Sequence, residues 1–144
     1  MVIGKLLDAK GHTVATIAPG ATVRAALAAL AERGIGALVV SADGRRPAGI
    51  VSERDVVRRL HDSGAGILER PVAEIMVGDV RSARPGDDVE SVMALMTVQR
   101  IRHVPVLDDG GELVGIVSIG DVVKSRLDAL EDEKRALVDY IYAR

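Results

Sequence analysis

The chain has 144 residues, a formal net charge of -2, and 48% hydrophobic and 28% charged residues. It lacks Cys, Phe and Trp, which excludes disulfides, thiolate metal sites and most aromatic stacking of nucleobases. These features predict one soluble cytoplasmic globular domain with an aliphatic core and no metal, and they argue against binding to nucleic acid or membrane.

An internal repeat is the main signal, because Pro19-Gly20 recurs as Pro85-Gly86 at an offset of 66 residues. At the same offset the stretch 49–52, Gly-Ile-Val-Ser, recurs at 115–118. One domain over 1–144 is therefore predicted to contain repeat 1 (14–60), a connector (61–79), repeat 2 (80–126) and a C-terminal helix (127–144). Residues 1–9 are expected to match the end of the connector.

In chain order, repeat 1 predicts a strand near 14–17, a helix capped by Thr22 and ended by Gly34, strands at 37–40 and 48–52, and a second helix. Asp43-Gly44 indicates the turn between the two later strands. Repeat 2 predicts the same order with strands near 80–83, 103–107 and 113–118, and with Asp88 as the helix cap. Since Arg100 replaces Gly34 there, that helix is expected to end differently.

The predicted fold is α/β (α+β): a tandem pair of β-α-β-β-α units related by a pseudo-twofold axis. One unit is too small to fold alone, so the two are expected to bury their sheets against each other. In the connector, Pro71 is expected to be the first residue of a short helix. The stripe Leu127, Leu130, Leu137 and Ile141 in the tail fits either packing on its own domain or a dimer contact.

Ser52-Glu53-Arg54-Asp55 and its counterpart Ser118-Ile119-Gly120-Asp121 each open a helix after a strand. One interpretation is a capping box, although Asp reaches back less well than the usual Glu. The other is a ligand site, since a helix N-terminus suits phosphate and a carboxylate can accept both hydroxyls of a ribose. Gly49 and Gly115 would then let a flat ring approach the strand. The motif alone leaves both interpretations open.

The repeated Gly-Ile-Val-Ser-x-x-Asp, the strands 37–40 and 102–106 and the Pro-Gly-x-x-Val openings resemble a CBS-domain pair, or Bateman module. The resemblance covers nearly the whole chain and is closest to stand-alone bacterial proteins of this kind. It implies binding of an adenosine ligand in two clefts between the repeats, with AMP first and ADP, ATP, NAD or S-adenosylmethionine as alternatives. It also implies a homodimer and regulation of an unidentified protein target.

The same resemblance assigns the site residues. Asp55 and Asp121 would hold ribose hydroxyls, and Ser52 and Ser118 would contact ribose or phosphate. The adenine slots would be lined by Ile35, Ile50, Ile101 and Ile116, and the backbone walls would be formed at Ala15, Arg81, Gly36-Ala37 and Arg102-His103. Because Gly120 stands where repeat 1 has Arg54, and Gly36-Ala37 where repeat 2 has Arg102-His103, we expect one tight and one weak site. The sequence leaves open which cleft receives Arg102 and His103.

Two other functions remain as alternatives. An enzyme is disfavoured because no nucleophile, metal motif or acid–base pair stands out, although weak processing of a bound nucleotide would be compatible with the sequence. A structural or partner-binding module without a ligand is the second. Basic residues are scattered and balanced by acids, which is typical of a solvated surface.

Overall fold

The structure is a computed structural model that describes residues 1–143. Its helices are α1 (Ile3–Lys10), α2 (Val23–Arg33), α3 (Glu53–Ser63), α4 (Val89–Gln99) and α5 (Ile119–Tyr142). Its strands are β1 (Thr16–Ile17), β2 (Ala37–Val40), β3 (Gly49–Ser52), β4 (His103–Leu107) and β5 (Leu113–Ser118). The predicted mixed fold of two tandem repeats is confirmed, and the later strands of each repeat lie within one residue of their predicted bounds.

Each repeat contributes its own small sheet. In the first, β1 pairs parallel with β2, and β2 pairs antiparallel with β3 so that Ala37 faces Ser52. In the second, β4 and β5 pair antiparallel and His103 faces Ser118. The strand predicted near 80–83 is reduced to a single parallel bridge, Ala83 to Val106. Of Arg81, Ser82 and Ala83, only Ala83 is buried, so there is little apolar surface to hold a longer strand.

The helix ends correct one prediction. Gly34 ends α2 in the left-handed conformation, and Arg100 ends α4 in the same conformation, with φ 54° and ψ 44°. The expectation that the second helix would end differently was wrong. The shared geometry lets the N–H of Ile35 bond the carbonyl of Leu30, and that of Ile101 bond the carbonyl of Met96, which satisfies the last turn of each helix.

The helix starts follow the predicted positions but not always the predicted bonds. The Thr22 hydroxyl accepts a hydrogen bond from the Ala25 N–H at 3.1 Å. Asp88 precedes α4, but its side chain makes no capping bond. Pro71 precedes a single 3-10 turn, Val72–Glu74, and so caps it rather than forming its first residue.

The segment before each repeat crosses over to pack on the other repeat. The Ile3 N–H bonds the Asp87 carbonyl at 2.8 Å, and the Val72 N–H bonds the Ala21 carbonyl at 2.7 Å. Buried residues accordingly form two cores. One joins Ile3, Leu6 and Leu7 of α1 to repeat 2, and the other joins Ile67, Val72 and Ile75 of the connector to repeat 1. Two exchanged segments, related like the repeats themselves, therefore tie the halves together.

Helix α5 continues from repeat 2 into the C-terminal segment without a break. Leu127, Leu130, Leu137 and Ile141 are 44–63% exposed, so the structure disfavours packing on the same domain, the first of the two alternatives for this stripe. The C-terminal part of α5 extends beyond the packed core, because Val122 near its start is the buried residue of this helix. Within residues 1–143, no helix combines the length and the apolarity that crossing a membrane requires.

Candidate functional site

The two Ser-x-x-Asp motifs form matching structures at the starts of α3 and α5. Asp55 Oδ2 accepts a hydrogen bond from the Ser52 N–H at 2.8 Å, and the Asp55 N–H donates to Ser52 Oγ at 3.3 Å. The equivalent distances at Asp121 and Ser118 are 2.8 and 3.2 Å. Both motifs are complete capping boxes. The expectation that Asp would reach back poorly was wrong, since the extended backbone of each Ser brings its N–H within reach of the carboxylate.

Capping leaves part of the Asp55 carboxylate available. Both hydrogen bonds from Ser52, one from its N–H and one from its hydroxyl, end on Oδ2. Oδ1 accepts none from the part of the chain that the structure describes. Asp55 is half-buried and lines an open cleft, so Oδ1 can accept hydroxyl donors from a ligand. The capping and binding interpretations are therefore compatible at this helix.

The cleft beside Asp55 lies between the repeats and has a volume of about 330 Å³. Small-molecule sites in proteins usually lie between about 300 and 1,000 Å³. Repeat 1 contributes Gly36, Ala37, Ile50, Ser52, Arg54 and Asp55 from the predicted set, and repeat 2 contributes Arg81, Ile101, Arg102 and His103. Arg102 and His103 therefore face the Asp55 side, a choice that the sequence left open.

Several lining residues were absent from the sequence prediction, namely Glu53, Arg58, Val77, Asp79, Val80, Gln99 and Arg100. Arg58 had a detectable signal, because it follows Arg54 by four residues and so shares its helix face. Arg100 directly precedes the predicted Ile101 and Arg102. Val77, Asp79 and Val80, at the junction of the connector and repeat 2, gave no signal, because only the crossover brings this segment to the cleft.

The cleft is rich in arginine. Arg54 and Arg58 come from α3, Arg81 from the start of repeat 2, and Arg100 and Arg102 from the turn between α4 and β4. Arg81 Nη2 lies 3.6 Å from Asp79 Oδ2, which is an ion-pair distance. Within residues 1–143 the other four guanidinium groups have no carboxylate at ion-pair distance. Together with the start of α3, they make the cleft suitable for an anion.

The equivalent position beside Asp121 is occupied by a side chain from outside the repeat. Lys10, the last residue of α1, places Nζ 2.5 Å from Asp121 Oδ2 and 2.6 Å from the carbonyl of Ile116. Burial alone would raise the pKa of Asp121, but hydrogen bonds from Lys10 and Ser118 and the Lys10 charge lower it below its ordinary value. The predicted ribose carboxylate of the second cleft thus already has a cationic partner.

The remaining predicted residues do not line the open cleft. Ile116, Ser118, Gly120 and Asp121 surround the Lys10 contact or the start of α5. Ala15 and Ile35 pack against the core of repeat 1. The carbonyl of Ala15 also accepts the Val39 N–H at 3.1 Å, so that acceptor is already used in the sheet.

His103 of repeat 2 lies beside Gly36 of repeat 1. A side-chain carbon on Gly36 would lie 3.3 Å from Cε1 of the His103 ring, which is a tight contact, so the two repeats approach closely here. Burial is the largest influence on His103 and lowers its pKa, as do the charges of Lys10 and Arg102, while Asp121 and Glu53 oppose them. The ring is therefore neutral at pH 7 and can both donate and accept a hydrogen bond.

Gly49 and Gly115 have a different role from the one predicted. A side-chain carbon on Gly49 would lie 2.5 Å from Met76 Sδ and 2.8 Å from the Val77 carbonyl oxygen. On Gly115 it would lie 2.6 Å from a methyl carbon of Leu7. These glycines make room for the exchanged segments and not for a ligand ring, so that expectation was wrong. Among residues 1–143, no group of three or more His, Cys, Asp or Glu side chains could hold a metal.

Comparison with known proteins identifies the repeats. The family model described as CBS domain matches residues 11–62 and again 72–128. A CBS-domain containing protein from Agrobacterium tumefaciens is 40% identical, with a TM-score of 0.83 over 88% of this chain and 99% of that structure. A CBS domain protein from Pyrobaculum aerophilum, solved in complex with AMP, is 30% identical, with a TM-score of 0.75 over 84% of this chain and 89% of that structure.

One relative is longer than this chain, and the match covers only part of its length. A mitochondrial CBS domain-containing protein of Arabidopsis thaliana is 37% identical over 124 residues. The match covers 83% of this chain but only 60% of the plant protein. This chain therefore spans less than two thirds of the length of that relative.

Proposed function

Since this chain belongs to the CBS-domain family and carries two repeats in tandem, we propose that it is a non-catalytic cytoplasmic regulator that binds an adenine nucleotide between them. The observation that carries the proposal is the open cleft in which Ser52 and Asp55 face Arg102 and His103 from the other repeat. The family match and the AMP complex of the Pyrobaculum aerophilum protein support an adenosine ligand. The candidate ligands are AMP, ADP, ATP and NAD.

Each part of the nucleotide has a suitable partner. The Asp55 carboxylate accepts the two ribose hydroxyls, and the Ser52 hydroxyl contacts ribose or phosphate. Ile50 and Ile101 offer apolar contacts to adenine from opposite repeats. The start of α3 and the neighbouring arginines hold the phosphate.

The two clefts bind with unequal affinity in this proposal. At the second cleft a ribose would have to displace Lys10 from Asp121 and from the Ile116 carbonyl. That replacement gives up a charge-assisted hydrogen bond, which is stronger than one to a neutral hydroxyl. We therefore expect one nucleotide per chain under ordinary conditions.

Regulation follows from the position of the ligand between the halves. A nucleotide that touches both repeats favours the relative orientation in which its contacts are best, and it changes the population only by that difference in affinity. The exposed stripe on α5, Leu127, Leu130, Leu137 and Ile141, supports a homodimer through which the change could reach a protein target.

Two measurements test the proposal. Mass spectrometry of small molecules that co-purify with the native protein should detect an adenosine compound, released unchanged after long incubation. Calorimetry should then show saturable binding of that compound at about one per chain and no binding of the guanosine analogue. A protein that binds no adenosine ligand in either measurement would contradict the proposal and favour a ligand-independent partner module, whereas a chemically altered ligand would favour an enzyme.

A further inference from the structure

Resting on the proposed function, we infer that the Asp55 cleft is selective for ligands with at least two linked phosphates, such as ADP, ATP or NAD, over AMP. Arg54 and Arg58 approach from repeat 1, and Arg100 and Arg102 approach from repeat 2. A single phosphate beside Ser52 needs only part of this set. A chain of phosphates can reach guanidinium groups on both sides of the cleft.

The pairing of charges within the cleft supports a polyanionic ligand. Of its three acidic side chains, Asp79 pairs with Arg81, and Asp55 caps α3. Glu53 lies toward Gly36 and the His103 ring. In residues 1–143, Arg54, Arg58, Arg100 and Arg102 form no ion pair with any of them. Guanidinium groups in this state favour phosphate, whose oxygens match their planar fork.

The backbone of Arg100 adds an independent observation. It is the one non-glycine residue with a positive φ in the part of the chain that the structure describes. The same helix end in repeat 1 has Gly34, the residue that adopts this conformation without steric cost. An arginine at such a position keeps a side chain in the cleft at the expense of backbone strain, which is typical of a residue with a binding role.

The second cleft provides an internal contrast. At the repeat offset, Arg54 corresponds to Gly120, Arg100 to Gly34, and Arg102 to Gly36. Arg58 alone keeps a cationic counterpart, Lys124. The duplicated scaffold thus has this cluster of arginines at one of its two clefts only. If these arginines were ordinary surface charge, both repeats would be expected to carry them. Their presence at one cleft only favours a site for a chain of phosphates.

Calorimetry on the native protein tests this inference with AMP, ADP, ATP and NAD as separate ligands in magnesium-free buffer at fixed salt. A hydrogen bond to a charged group changes affinity by about tenfold or more, so ADP or ATP should bind at least about tenfold more tightly than AMP. If the affinity for NAD equals that for ADP, two linked phosphates are sufficient for tight binding even when they lie between two nucleosides. The affinity for ATP should also fall more steeply with salt than that for AMP.

A double variant, Arg100→Gly with Arg102→Gly, reproduces the residues of repeat 1 and suits the left-handed backbone. It should lower the affinity for ADP and ATP by about tenfold or more and that for AMP by less than about threefold. The control is Arg84→Ala, which removes an exposed arginine paired with Asp109 outside the cleft. It should change neither affinity.

The outcomes separate this inference from the proposed function. Equal affinity for AMP, ADP and ATP overturns the inference and leaves an adenine-nucleotide module. An equal loss of AMP and ATP affinity in the double variant also overturns it, because the arginines would then serve the whole site. Failure of every adenosine ligand to bind would refute the proposed function itself.

Discussion

The Asp55 and Asp121 clefts are built on the same capped helix and the same strand pairing, yet their surroundings differ. Asp55 faces an open, arginine-lined cleft, whereas Asp121 holds Lys10 at 2.5 Å. Lys10 comes from α1, outside either predicted repeat. The two repeats thus provide similar scaffolds, and a residue of the segment that precedes them pairs with only the second of the two aspartates.

The largest expected effect separates the two carboxylates. Asp55→Ala should weaken nucleotide binding by roughly ten- to a hundred-fold, because a hydrogen bond to a charged group contributes about 1.5–3 kcal/mol. Asp121→Ala removes the same helix cap from α5 and serves as the matched control. It should leave the affinity at the first cleft unchanged in calorimetry. Equal, small effects of both changes would mean that Asp55 only caps its helix.

The two crossover glycines should differ in stability. Gly49→Ala pushes a methyl group against the Val77 carbonyl, which is backbone, and should lower the free energy of unfolding by about 1–3 kcal/mol. The three atoms nearest to the new methyl group in Gly115→Ala are carbons of the Leu7 side chain and not backbone, so its loss of stability should be smaller. Urea unfolding of both variants measures the difference, and a larger loss for Gly115→Ala would contradict the described packing.

Lys10→Met should make the clefts more alike. Without the ammonium group, Asp121 and the Ile116 carbonyl become available, and a second, weaker nucleotide site should appear. The stoichiometry in calorimetry should rise from about one toward two per chain. Lys5→Met changes an exposed lysine on the same helix and should leave it at one. A stoichiometry of one for Lys10→Met would show that Lys10 is not what closes the second cleft.

The smallest expected effect concerns His103 at the meeting point of the halves. Its pKa is lowered mainly by burial, so the unfolded chain binds its proton more readily than the folded protein. Stability should therefore fall as pH drops below about 6.5, the ordinary histidine value. Because the pKa of His12 is raised, chiefly by its hydrogen bond to the Val114 carbonyl, its contribution runs the opposite way.

The comparison that isolates His103 is the difference between the native protein and His103→Gln. Thermal unfolding between pH 5 and 8 should show a weaker fall on the acid side for the variant. His61→Gln, at an exposed position of α3, is the control and should follow the native profile. An unchanged acid slope in His103→Gln would contradict a buried neutral ring.

Much of the first cleft could be predicted from sequence. The repeat identified the capped helices, and the resemblance to the CBS family assigned Ser52, Asp55, Arg102 and His103 to candidate sites. Contacts between distant segments could not be predicted in this way. Nothing in a motif of adjacent residues indicates that Lys10 reaches Asp121, because that contact depends on α1 crossing to the other half.

Local periodicity and turn residues determined the order of strands and helices, since these depend on neighbours along the chain. The internal repeat determined that there would be two similar halves. Only the tertiary structure decided that the preceding segments exchange between halves, that Arg100 adopts the backbone of a glycine, and that one cleft stays open while the other receives Lys10. These features depend on packing and charge interactions between residues far apart in the sequence. A pattern of neighbouring residues therefore does not predict them.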